Sequence, residues 1–286
     1  KIDRMKVPTV ALMYDFDGTL SPANMQEYDF MNAIGLKEKN TFWDDAYKLA
    51  KQQDASSILS YMKLMVDKAK AGGLSIRRQQ FVEFGKGIEL YQGVEDWFPM
   101  INEEGRKMGV NVEHYIISSG LKELIEGTSI AKYFKQIYAC SFMYENDEAI
   151  WPAVAVDFTS KTQFIFMINK GIYEIYENSK INDSMPDEGR PVPFQNMIYL
   201  GDGETDIPSM RIIKSEGGHS IAIFKENVDN SRAQAKNLVK RGRVNFACPG
   251  DYRRGGELYN AVMATMAKIK TDSIFHKLEK KNQSKI

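Results

Sequence analysis

Val7 to Tyr14 is an unbroken β-prone run that stops abruptly at Asp15-Phe16-Asp17-Gly18-Thr19. A strand that is apolar on successive residues must be covered on both faces, which is the situation of a parallel sheet with helices on either side. That single run therefore points to an α/β protein. The acidic loop that follows lies at the C-terminal end of the strand, the edge where open α/β sheets bind ligands.

The rest of the chain keeps this rhythm after one long interruption. From about Asn24 to Leu90 the pattern is helical and no strand is convincing. Asp54 precedes a segment with Ile58, Leu59, Met62, Met65 and Val66 at helical spacing, and Gly72-Gly73 stop it. Ser75 reads as the N-cap of the next helix, and Trp43 and Tyr47 suggest one before. Strand and helix signals then alternate. Gly93 to Met108 predicts a helix, Val112 to Ile117 a strand ending at Ser118-Ser119-Gly120, and Leu121 to Gly127 a helix. Runs around 137–144 and 149–158 flank Glu145-Asn146-Asp147-Glu148 as a hairpin. A helix from Gln163 and a polar loop over 178–195 come next, followed by a strand over Met197 to Leu200 that ends at Gly201-Asp202-Gly203. A strand over Ser220 to Phe224, a helix over Gly256 to Ile269 and a frayed Lys-rich tail from Lys277 complete the pattern. The expected fold is a three-layer Rossmann-like α/β core with a mostly parallel sheet, plus a small helical cap. Residues 1–22 and 92–286 would form the core and 23–91 the cap.

Charge narrows the partners. Lys plus Arg and Asp plus Glu both number 38, so no basic excess draws the chain to nucleic acid or an anionic membrane surface. Cys140 and Cys248 show no CxxC spacing and read as small buried hydrophobes in a reducing compartment. His114, His219 and His276 form no ligand cluster. The basic residues before Val7 superficially resemble a signal sequence, but the apolar run ends in acid and lacks a small-residue cleavage site. The expected setting is cytoplasmic, as a monomer or homodimer.

Four features carry chemistry. Residues two apart on a strand share a face, so Asp15 and Asp17 can converge and divide the labour of nucleophile and acid/base. Gly18 permits a sharp turn, and Thr19 offers a hydroxyl and an N–H to phosphate oxygens. Ser118 and Ser119 open a helix as an anion site, a sequence that would also serve simply as a turn. Lys161 starts a helix, where the dipole disfavours a cation, unless it offsets nearby carboxylates and phosphate. Lys170 competes for that role but looks like helix C-terminal chemistry. Finally, Asp202 and Asp206 in GDGETD suit the hard oxygen coordination of Mg²⁺, without the longer acidic ladder of a calcium loop.

Taken in order, DFDGT, ISSG, the lysine and GDGETD resemble the haloacid dehalogenase-like hydrolase superfamily, and the helical stretch after the first motif looks like its cap. The resemblance implies Asp15 as nucleophile and Asp17 as general acid/base. It implies Ser118 and Lys161 as phosphate ligands, and Mg²⁺ held by Asp15, Asp202, Asp206 and, at Asp17, the backbone carbonyl. An acid at position 17 separates phosphatases from dehalogenases. The cap position, LYQGVEDWF and Ser118 are similar to the phosphoserine phosphatase branch. That branch has glutamate nine residues after the nucleophile where this chain has Asn24, with Glu27 one helical turn on as the substitute. It also has Gly-Gly after the motif serine, where this chain has Ser119-Gly120. The implied activity is hydrolysis of a small phosphorylated metabolite; phosphotransfer to an alcohol, or non-catalytic binding of a phosphate ligand, are the alternatives. Tyr28, Phe42, Trp43, Tyr47 and Tyr61 either line a pocket for an organic cation or form helical core, as helix-spaced aromatics usually do. Arg77 and Arg78 either meet a carboxylate or face solvent.

Overall fold

A computed structural model describes residues 7–284, leaving the basic lead-in at 1–6 and the last two residues outside it. Among these residues seven strands form one sheet in the order β4-β3-β2-β1-β5-β6-β7. They are β1 (Thr9–Tyr14), β2 (Asn111–Leu121), β3 (Phe134–Glu145), β4 (Glu148–Val154), β5 (Met197–Gly201), β6 (His219–Phe224) and β7 (Phe246–Pro249). Every neighbouring pair is parallel except β3 with β4. The antiparallel pair is the hairpin expected around Asn146-Asp147, both of which adopt positive φ (48° and 66°). Asn and Asp tolerate that left-handed conformation better than most residues, and a two-residue turn of this hand matches the strand twist.

Among the described residues ten α-helices flank the strands. Between β1 and β2 run α1 (Asp29–Ala33), α2 (Lys39–Gln53), α3 (Ser57–Ala71), α4 (Arg78–Gly85) and α5 (Val94–Met108). After β2 come α6 (Lys122–Glu126), α7 (Ser160–Lys170), α8 (Ile207–Ser215), α9 (Asp229–Lys240) and α10 (Glu257–Gln283). The β1, β5 and β6 side chains are buried almost throughout. A central parallel strand achieves this only when helices cover both faces. Helix α5 packs on β2 and α10, while α7 packs on α8, which in turn covers β5 and β6.

Local chemistry explains where elements begin and end. Ser56, not Asp54, caps α3, its hydroxyl accepting from the Leu59 N–H. Asp54 instead ends α2 in the left-handed conformation. Ser75 does not cap α4 either: its Oγ accepts from Arg77 N–H two residues on, and the helix starts at Arg78. The strand at the second motif does not stop at Ile117 but runs to Leu121, with irregular pairing to β3 over the last residues. The tail expected to fray at Lys277 remains helical to Gln283. No helix among the described residues is long and apolar enough to cross a membrane.

Beneath the sheet's working edge lies a buried polar chain. Trp97 Nε1–H donates to the Tyr14 hydroxyl at 2.9 Å, and Tyr14 OH lies 3.0 Å from His114 Nδ1. His114 Nε2 lies 3.0 Å from Asn102 Oδ1. One assignment satisfies every atom: Tyr14 donates to Nδ1, and Nε2–H donates to Asn102, so the imidazole is neutral. Burial holds the His114 pKa at about 3, against an ordinary 6.5. A depressed histidine stays neutral in the fold while the unfolded chain takes up a proton below about pH 6.5. Stability is therefore lost as pH falls from about 6.5 towards 3, by a few kcal/mol at most. The His114 ring should show no titration by NMR above pH 5; a midpoint near 6.5 would refute the neutral buried assignment.

Candidate active site

β1 carries Asp15 to the sheet edge, and its N–H still donates to Leu200 O on β5 at 2.9 Å. The chain then turns sharply, with Gly18 at φ +76°. A side chain there would be doubly excluded, because its Cβ would sit 2.0 Å from Asp202 Oδ2. The glycine is what lets the acidic loop after β5 press against the loop after β1. Asp17 is oriented by the N–H of Met25, which donates to its Oδ1 at 2.8 Å. Gly120, at the end of β2, leaves room for both: a Cβ there would lie 2.0 Å from Met25 Cε and 3.2 Å from Asp17 Oδ2.

β5 and the turn into α8 supply the other carboxylates. Asp206 is wholly buried and fully engaged. Its Oδ2 accepts from the N–H groups of Asp202 and Gly203 (3.1 and 3.3 Å), and its Oδ1 from Tyr199 OH and Lys161 Nζ (2.7 Å each). Four donors use the lone-pair sites of one carboxylate. Asp206 thus fixes the loop and the lysine, while Asp15 and Asp202 reach the adjoining cavity. Oxygens of Asp15, Asp202 and Asp206 nevertheless lie within 4.8 Å of one another, a grouping able to hold a metal ion. Asp17's carboxylate is not part of it.

Lys161 is completely buried at the start of α7, with Nζ 2.7 Å from Asp206 Oδ1 and 3.1 Å from Asp15 Oδ1. Burial alone would lower its pKa, but Asp15 and Asp206 outweigh that and hold the ammonium charged. These two carboxylates also explain how a cation sits where the helix dipole opposes it. Lys170, the alternative, donates to the carbonyls of Ile181 and Asp183 beyond the other end of α7.

Ser118 is buried, and its Oγ accepts from the Gly120 N–H at 3.0 Å, leaving its own proton free to donate. Ser119 also faces the cavity with an unpartnered hydroxyl, while its carbonyl accepts from Tyr61. Thr19 is not brought to the cavity. Its N–H closes the loop onto Phe16 O, and its hydroxyl is buried without a partner. Glu27 does not line the cavity either: its Oε1 accepts from Asn24 Nδ2 (2.7 Å) and Trp43 Nε1 (2.9 Å). Phe42 is core, whereas Trp43, Tyr47 and Tyr61 do line the cavity. Tyr28 pairs with the Ser21 hydroxyl, and Arg78 with Glu126.

Burial raises Asp15 to about 7, with Asp206 adding and Lys161 opposing. Burial likewise drives Asp17 and Asp202 well above the ordinary range, and the Asp15 charge pushes each further. Four carboxylates thus crowd around one ammonium. Hard oxygen donors with an excess of negative charge match the preferences of a small divalent cation. Met25, Tyr199 and Gln26, the last buried in the cavity wall, had no sequence signal, since each reads as an ordinary core or helix residue.

A strand-end aspartate, a buried lysine and a second acidic loop meet at the topological switch point of a Rossmann-like α/β sheet, the place where such sheets bind ligands. The chain belongs to the haloacid dehalogenase-like hydrolase family, whose sequence model matches residues 12–211. It is 30% identical over 282 residues to an uncharacterized protein of Borreliella burgdorferi, covering 89% of this chain and 95% of that one. Among solved structures it is similar to a probable phosphoserine phosphatase from Vibrio cholerae, with TM-score 0.55 and 13% identity over 94% of this chain and 69% of that one. A further similar structure is a hydrolase of the same family from Salmonella enterica serovar Typhi (TM-score 0.52, 16% identity, 85% of this chain and 68% of that one). At such identities these structures establish the fold.

Proposed function

We propose that the protein is a Mg²⁺-dependent phosphatase that cleaves a small phosphomonoester through an aspartyl phosphate on Asp15. What carries this reading is the placement of Asp15 on the cavity with Asp17 beside it and Lys161 bonded to its carboxylate. In the first step an Asp15 oxygen forms a bond to phosphorus as the bond to the leaving oxygen breaks, and Asp17 donates its proton to that oxygen. In the second, Asp17 takes a proton from water, whose oxygen attacks phosphorus and frees Asp15. The raised pKa of Asp17 keeps it protonated for the first step. Lys161 and the Ser118 hydroxyl suit the equatorial oxygens. Mg²⁺, held by Asp15 and Asp202 with Asp206 behind them, would neutralise the phosphoryl charge. We further assign residues 23–91 as a cap over a core of 1–22 and 92–286. Two buried free cysteines support a cytoplasmic setting.

The test is inorganic phosphate release from a panel of small phosphomonoesters with Mg²⁺; inertness across the panel would overturn the reading. Turnover should vanish in EDTA and return with Mg²⁺. Ca²⁺ should serve poorly, because its looser and larger shell misaligns Asp15. Mg²⁺ should also raise the melting temperature by relieving carboxylate repulsion, and a melting curve unchanged by Mg²⁺ would argue against the site. Full activity in chelator would rule out the metal.

A further inference from the structure

The cavity above Asp15 encloses about 390 Å³, and its far wall is formed by Trp43, Ala46, Tyr47, Ile58 and Tyr61. Trp43 and Tyr61 meet as a corner, ring centroids 5.9 Å apart at 68°. Their polar handles are both taken: Trp43 Nε1–H donates to Glu27 Oε1 at 2.9 Å, and Tyr61 OH to Ser119 O at 2.7 Å. Only ring surface is left to meet a ligand, and a carboxylate on the indole N–H makes the indole face more electron-rich. Beside them, Gln26 lines the cavity at 1% exposure with its Oε1 unpartnered. A buried acceptor without a donor is costly unless something supplies one. Among the described residues no Lys or Arg lines this cavity, and Lys161, bonded to Asp15 and Asp206, serves the phosphate end in the reading above. Asn24 Nδ2, the nearby amide donor, is bonded to Glu27.

A substrate carboxylate would thus enter a negatively charged cavity with no cation to pair it. A protonated amine would give N–H donors to the open acceptor and its charge to two aromatic faces, a quaternary ammonium its charge alone, and cations over indole and phenol faces are stabilised most where water is excluded. We propose that the leaving group is a cationic amino alcohol, bound by Trp43, Tyr61 and Gln26, and that carboxylate-bearing esters such as phosphoserine are rejected. The proposal rests on the phosphatase reading above for its setting, but the subsite is testable without turnover.

Kinetics with Mg²⁺ should compare phosphocholine, O-phosphoethanolamine, propyl phosphate and phosphoserine. The cationic esters should exceed propyl phosphate in kcat/KM by about tenfold, the scale of a desolvated cation–π contact. They should exceed phosphoserine by about a hundredfold, since its carboxylate stays unpaired. Trp43→Leu should reduce the cationic preference over propyl phosphate to about threefold or less. Trp43→Phe, which keeps a ring but not the bond to Glu27, should restore most of it, and circular dichroism would confirm that both variants fold. Independently of catalysis, choline chloride titrated into the wild-type protein should bind saturably by calorimetry, and more weakly by about tenfold in Trp43→Leu. Inertness towards all four esters combined with Trp43-dependent choline binding would sink the phosphatase reading and leave the subsite standing. Equal turnover of neutral and cationic esters, a preference for phosphoserine, or choline binding that is absent or indifferent to Trp43 would overturn the subsite.

Discussion

Asp15→Asn is expected to abolish phosphate release, by roughly 10⁴-fold or more, the scale seen when a nucleophile is removed. The amide nitrogen cannot attack phosphorus, and the amide oxygen is a far poorer nucleophile than a carboxylate. The fold should survive. Lys161 keeps its shorter contact, 2.7 Å to Asp206 Oδ1, and an asparagine Oδ1 can still accept from it. Loss of one carboxylate also relieves a group whose ionisation is opposed first by burial and then by Asp206. Stability without metal should accordingly hold or rise, while Mg²⁺ affinity falls because one of its ligands becomes neutral. Circular dichroism melts, Mg²⁺ titrations and steady-state rates on one preparation would check all three. Turnover near the wild-type rate in a folded variant would remove Asp15 as nucleophile, whatever else the site does.

The parts of this site that were legible in the sequence are those where chemistry leaves little choice of residue. Gly18 must be glycine, because its φ is positive and Asp202 occupies the space a side chain would need. The buried runs of β1 and β5 announce a two-sided sheet, and their carboxylates fall at its edge. Lys161 stood out because a cation opening a helix needs compensation, which Asp15 and Asp206 provide. What stayed hidden depends on tertiary packing. Met25 clamps Asp17 through a backbone N–H, which any residue carries, so its identity held no clue. Thr19 was expected at the phosphate, yet the tight loop takes its N–H to Phe16 and turns its hydroxyl inward. Helix α9 averages strongly polar and buries only Ala235, and β7 spans four residues, so neither stood out from loop. Trp43 and Tyr61 sit at helical spacings that suit core and cavity alike; only the packing of α2 on α3 separates them from Phe42.

Asp17→Asn separates a proton-transfer role from simple phosphate binding. The substitution is nearly isosteric, and the amide Oδ1 can still accept the Met25 N–H that orients the side chain at 2.8 Å. Metal affinity should hold, since Asp17's carboxylate lies outside the grouping of Asp15, Asp202 and Asp206. What disappears is a proton that burial, the Asp15 charge and the nearby Glu27 keep on the native carboxyl. General acid–base catalysis of this kind is worth roughly 10²–10⁴-fold in rate, and the deficit should follow the leaving group. An alkyl phosphate needs its departing oxygen protonated, whereas p-nitrophenolate leaves readily without an acid. The first step should therefore suffer far less with p-nitrophenyl phosphate than with an alkyl ester. Water activation in the second step would remain impaired for both. The expected trace is a burst of p-nitrophenol, stoichiometric with enzyme, followed by slow turnover as aspartyl phosphate accumulates on Asp15. Single-turnover rates for the two esters and acid-stable phosphoprotein content can be measured on the same variant. Equal losses for both esters with no burst would show that Asp17 does not move the proton, and the acid would then have to be sought elsewhere on the cavity wall.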